Sequence, residues 1–144
     1  MKRIITAVII VISVFVLSGC NRNYDAITYT KFNEIFKEKK DYNIINQTLK
    51  YEDRFERCLE ASGKNIQFLY YEFKTEEEAR NYISDNYKNR KKYKFKDKKN
   101  SIIVKCTNKM YFYAVQVDKI VIVGNSPIKK NKKEIKKIFK ELGY

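Results

Sequence analysis

Histidine and tryptophan are absent from this chain of 144 residues, proline occurs once, and glycine and cysteine are scarce at four and three. Each scarcity removes a class of function. Without histidine, the commonest general base near neutral pH is missing. A zinc site would need unusual ligands, because no Cys-x-x-Cys pair occurs either. Gly63, Gly124 and Gly143 are too scattered to build a phosphate-cradling loop. No Gly-x-Ser-x-Gly nucleophile elbow is present. A Ser/Lys dyad or a carboxylate pair stays open in principle, but no spacing singles one out. The expectation is a non-enzymatic protein with no catalytic residues, no cofactor and no metal.

What the chain does have begins at its N-terminus. Lys2 and Arg3 precede the apolar run Ile4 to Leu17, which ends in Leu17-Ser18-Gly19-Cys20. A basic start, an apolar middle and a small-residue end are the parts of an export signal. The run of 14 residues is shorter than the roughly 20 that a membrane-spanning helix needs. Leu17-Ser18-Gly19-Cys20 resembles the lipobox of bacterial lipoproteins. The resemblance implies that residues 1–19 are removed and that Cys20 is diacylated and becomes the new N-terminus. It also implies a location on the extracytoplasmic face of the cell membrane. The competing reading is an ordinary signal peptide or an uncleaved anchor. Residues 20–27 would then be the lipid anchor and a short tether, and 28–144 a single domain.

Without Lys2 and Arg3 the chain carries 29 basic side chains against 17 acidic ones. Such an excess points to an acidic partner: an anionic membrane face, an anionic wall polymer or nucleic acid. Export argues against nucleic acid. An A/T-rich genome is an equal explanation, since Lys, Ile, Asn and Tyr, all with A/T-rich codons, make up 68 of the 144 residues. Beyond Cys20, export permits a disulfide between Cys58 and Cys106 on neighbouring strands, against the alternative of two buried thiols.

Periodicity predicts a first helix from about Thr28 to Lys39, buried through Tyr29, Phe32, Ile35 and Phe36. Residues 42–53 read either as an extension of it or as a buried crossing. Strands follow at Phe55 to Glu60 and Ile66 to Phe73, with a turn at Ser62 to Asn65. Thr75 and Glu78 have the spacing of a capping box before a second helix. Lys92, Lys94 and Lys96 alternate with Tyr93 and Phe95 in a lysine-studded edge strand. Ser101 to Cys106, Met110 to Val117 and Ile120 to Val123 follow as strands, and Gly124 to Pro127 breaks the sheet. Asn131 reads as the cap of a last helix that buries Ile135, Ile138, Phe139 and Leu142 and ends at Gly143. The order α-ββ-α-βββ(β)-α describes an α+β fold: an antiparallel sheet of about five strands with helices mainly on one face. Tyr111, Tyr113, Val115 and Val117 point one way and Met110, Phe112 and Ala114 the other. The second face is therefore covered by the first helix, by a partner, or left as an aromatic surface.

This order, with Gly124-Asn125 and Leu142-Gly143-Tyr144 at the end, is similar to small surface lipoproteins of A/T-rich Gram-positive bacteria; the resemblance carries no known active site. Two readings follow. In one, the protein is a membrane-anchored binding or accessory module that contacts another surface protein or an envelope polymer. In the other, it is a basic domain held against anionic lipid or wall polymer through Lys92, Lys94, Lys96, Lys133, Lys136, Lys137 and Lys140.

Overall fold

The computed structural model describes residues 24–106 and 108–144. The signal segment 1–19 and Cys20 lie outside the described residues. Seven strands form one antiparallel sheet: β1 (Asn43–Asn46), β2 (Arg57–Gly63), β3 (Ile66–Glu72), β4 (Lys94–Lys98), β5 (Ser101–Cys106), β6 (Tyr111–Val117) and β7 (Ile120–Ser126). Their order across the sheet is β1-β2-β3-β7-β6-β5-β4. The helices are α1 (Tyr29–Lys37), α2 (Glu76–Tyr87) and α3 (Lys132–Glu141).

Three hairpins set the register. Gly63 pairs with Ile66, Lys98 with Ser101 and Val117 with Ile120, so each loop has only two residues. Asn65 and Asp118 take the left-handed conformation, at φ 61° and 52°, that such tight loops demand and that Asn and Asp tolerate best.

The central strands are apolar on both sides, so both faces need cover. On the front face α1 and α3 bury Leu59, Phe68, Tyr70, Tyr111, Val115 and Ile122 beneath Phe32, Phe36, Ile135 and Phe139. On the back face α2 sets Ala79 and Ile83 against Ile102, Val104, Ala114, Val121 and Val123. The α+β class and the antiparallel sheet stand as expected. Two details are corrected: there are seven strands rather than about five, and the helices divide between the faces. The two-sided apolar pattern of β6 and β7 is the reason, because one layer of helices would leave half of it wet.

The extra strand is β1, in the stretch left ambiguous by sequence. It is a mostly exposed edge, followed by a short 3-10 turn at Thr48–Tyr51 in which Leu49 stands almost fully exposed. In the middle of the sheet, β7 runs through Gly124 to Ser126 instead of breaking there. From the first described residue the chain is already packed: Ile27 is buried, and Tyr24 and Ala26 lie against the front core.

The helix ends follow local chemistry. Thr75 and Glu78 form the reciprocal capping box on α2. Asn131 does not cap α3; its amide instead donates to Ser126 Oγ at 3.1 Å. Gly143, at φ 95°, closes α3 as its N–H donates to Lys140 O and that of Tyr144 to Phe139 O. Tyr144 Oη then accepts the Ile27 N–H at 3.0 Å, which fastens the first packed residues to the end of α3.

Candidate anion-binding site

Strand β4 is an edge strand whose side chains alternate. Phe95 and Asp97 point to the back, where Phe95 packs on the back core and Asp97 accepts from Arg80 of α2. Lys94, Lys96 and Lys98 therefore project to the front. On the neighbouring strand Lys105 shares that side, directly opposite Lys94. Like charges facing each other across two strands are destabilising, and nothing in the hairpin's folding requires the pair.

α3 supplies the rest. Its buried stripe is Ile135, Ile138, Phe139 and Leu142. On the flank toward α1, both acids are occupied: Glu134 accepts from Tyr42 Oη at 2.8 Å and Glu141 pairs with Lys39 at 2.6 Å. Helical spacing places Lys132 and Lys136 on the opposite flank, toward β5 and β4. The Lys132 ammonium stands 6.0 Å from the Tyr111 ring centre, and that of Lys105 4.9 Å from Tyr113. Cation–π contact is the compensation these lysines find. Among the described residues, none of Lys94, Lys96, Lys98, Lys105, Lys132 and Lys136 forms an ion pair.

The result is a step. α3 packs chiefly on β7, and among the described residues no helix packs closely on the front of β5 or β4, where Ser101 and Ile103 are nonetheless buried. Lys105 lies at the foot, where partial burial, and then Lys136, Lys96, Lys132 and Lys98, hold its ammonium below the usual lysine range. The charged neighbours that act on Lys105 are all positive, an arrangement that would favour an anion over a cation beside it.

Of the residues singled out by sequence, Lys94, Lys96 and Lys136 come together here. Lys133, Lys137 and Lys140 line the exposed crest of α3 instead. Lys92 stands 5.1 Å from the centre of the Tyr93 ring, which packs on Tyr87 and Phe112 of the back layer, away from the step. Lys98, Lys105 and Lys132 were missed. Lys98 continues the alternation of Lys94 and Lys96, and Lys132 precedes Lys136 by one helical turn. Lys105 is the one charge inside the apolar run Ile102 to Cys106.

Cys58 and Cys106 are buried and free. They occupy β2 and β5, four strand steps apart, at about 4.8 Å per step. A disulfide needs Cα atoms within about 7 Å, so the expectation of neighbouring strands is corrected and this fold holds no bond between them. Burial, then Glu60 nearby, pushes the Cys58 thiol up to about 11.

A concavity of about 320 Å³ opens on the back face between Tyr51, Phe55, Cys58, Glu60, Gln67, Tyr71 and Tyr82. Its carboxylate is already engaged. Glu60 accepts from Ser62 Oγ, Gln67 Nε2 and Gln47 Nε2, at 2.6, 2.8 and 3.1 Å, and the first two chiefly hold it below the ordinary carboxylate range. Among the described residues no group of His, Cys, Asp and Glu is placed to hold a metal. No family model, curated protein or solved structure matches the chain.

Proposed function

We propose that this protein is a lipid-anchored, extracytoplasmic binding module without catalytic activity, held at the cell membrane through Cys20 with its basic face toward an anionic envelope surface. The position of Tyr24 carries the reading. Its ring packs on Tyr144 at 5.6 Å between centres, and the Lys98 ammonium sits 5.9 Å from it. Tyr24 is four residues past Cys20, and four extended residues span at most about 14 Å. An acyl group on Cys20 would thus hold the basic face of the domain, crest foremost, close to the headgroups. There, each lysine is worth about 1 kcal/mol, fading over a Debye length of about 10 Å at 0.1 M salt. Two acyl chains give the stable attachment that one does not.

Mass spectrometry of the membrane fraction is expected to find an acylated peptide beginning at Cys20. The Cys20→Ala protein is expected to leave that fraction on washing with salt. An intact Met1 peptide, or retention of the Cys20→Ala protein equal to wild type, would overturn the anchoring.

A further inference from the structure

We infer that the step between α3 and β4 is a binding groove for a linear phosphodiester polymer without bases, such as a polyol phosphate chain. The inference rests on the reading of the basic face as the working surface. Its first support is shape. An α-helix with its side chains is about 10 Å across. A flat bilayer resting on the crest of α3 meets Lys133, Lys137 and Lys140 and leaves Lys96, Lys98 and Lys105 about a Debye length below. A single extended chain can lie in the step and reach both walls.

Spacing is the second support. Alternate residues of a strand repeat at about 6.7 Å, which sets the row Lys94, Lys96 and Lys98. Residues one turn apart on a helix advance by about 6 Å, which sets Lys132 and Lys136. Two rows with a similar repeat suit a polymer that carries one charge per short repeat. Five residues of β4 provide about 17 Å of groove, enough for two or three such charges. Lys105 sits between the rows and gains most, since an anion relieves the repulsion from its four neighbours.

The absence of bases follows from the aromatics. Single-stranded nucleic acid binders offer exposed rings for stacking. Here Tyr111 is buried, Tyr113 is half-buried, and each ring has a lysine ammonium against it. Tyr24, at the Lys98 end, already lies edge-to-face against Tyr144 with that ammonium beside it, so the groove offers charge without a free stacking platform.

The test uses the full-length chain, purified in detergent, and a glycerol-phosphate oligomer of about ten repeats as the probe. Two triple variants are compared: Lys96→Gln, Lys105→Gln, Lys136→Gln in the step, and Lys133→Gln, Lys137→Gln, Lys140→Gln on the crest. The net charge change is the same. The step variant is expected to lose about tenfold or more in affinity. Its slope of log affinity against log salt should fall by about 2, at roughly 0.7 per phosphate no longer neutralised. The crest variant is expected to stay within about twofold. Equal losses in both variants would reduce the effect to general surface charge and overturn the groove. Phosphatidylglycerol vesicles that bind wild type more tightly than the oligomer does, and lose most in the crest variant, would make the ligand a membrane and overturn it too. Far-UV circular dichroism of both variants checks that each is folded. Anchoring is read separately: an acylated protein that ignores the oligomer sinks the groove alone, and a binding but unacylated protein sinks the anchoring alone.

Discussion

Gly124 sits where sequence suggests an interruption, and it is instead the reason α3 can lie close. A Cβ there would come within 2.6 Å of Phe139, 2.8 Å of Phe68 and 3.1 Å of Ile135. Three buried side chains from two elements would have to move. Gly124→Ala is therefore expected to destabilise the fold by about 1–3 kcal/mol, the usual cost of overpacking. That outweighs the few tenths to 1 kcal/mol gained by stiffening the unfolded chain. Urea unfolding followed by circular dichroism measures it, and a variant as stable as wild type would show that the contact is loose. The same residue explains a limit of sequence reading. A glycine that marks a turn and a glycine that admits a helix look alike until the partner across the gap is known.

Among the elements, those whose signals are local were legible and those set by distant partners were not. The capping box of α2 needs only Thr75 and Glu78, and both bonds form, Glu78 N to Thr75 Oγ1 at 3.1 Å and Thr75 N to Glu78 Oε2 at 3.3 Å. Thr75→Ala should cost about 1 kcal/mol in stability, read from the same urea curves, because the Glu78 N–H loses its acceptor. A loss below 0.3 kcal/mol, an order-of-magnitude floor, would mean that water replaces the hydroxyl at no cost. Asn131 has the same kind of spacing from Glu134, yet its amide turns to Ser126 and leaves the helix end alone. A competing partner in β7 decided that. β1 was missed as a strand because its exposed Asn43, Ile45 and Asn46 follow no buried alternation, and only pairing with β2 defines it. The lysine step was half legible for a related reason. The rows on β4 and α3 each have a sequence period, whereas Lys105 joins them only once β5 pairs with β4.

For the whole molecule, the titration of the tyrosines governs the alkaline limit. Burial raises Tyr113 and Tyr144 to about 12, and it raises Tyr42, Tyr70, Tyr71, Tyr82, Tyr87 and Tyr111 as well. In the unfolded chain these groups ionise near 10, so above that pH the unfolded state releases protons that the folded state keeps. The contribution of Tyr113 and Tyr144 to stability is complete below about pH 10 and is lost between 10 and 12, each giving up as much as about 1.4 kcal/mol per pH unit, and the other tyrosines add to the loss that sets in above 10. Tyrosinate absorbance is expected to rise cooperatively with the loss of circular dichroism in that window. Absorbance rising near pH 10 with the fold intact would mean that these rings are wetter than their packing implies. Histidine is absent, so no side chain of that kind titrates nearer neutrality.

If the domain hangs from Cys20 as proposed, the hydrogen bond from Ile27 to Tyr144 has a mechanical meaning. Tension on residue 24 reaches Ile27 and Tyr24, and both are tied to Tyr144. From there the load passes through the closed end of α3 to Phe139 and on to the middle of the sheet, where Phe139 lies against the rings of Phe68 on β3 and Tyr113 on β6. The exposed edge strand β1 lies outside that path, and β4 meets it through the Lys98 ammonium beside the Tyr24 ring. A pull applied there would therefore arrive at the best-buried part of the molecule rather than unzip the sheet from the β1 edge.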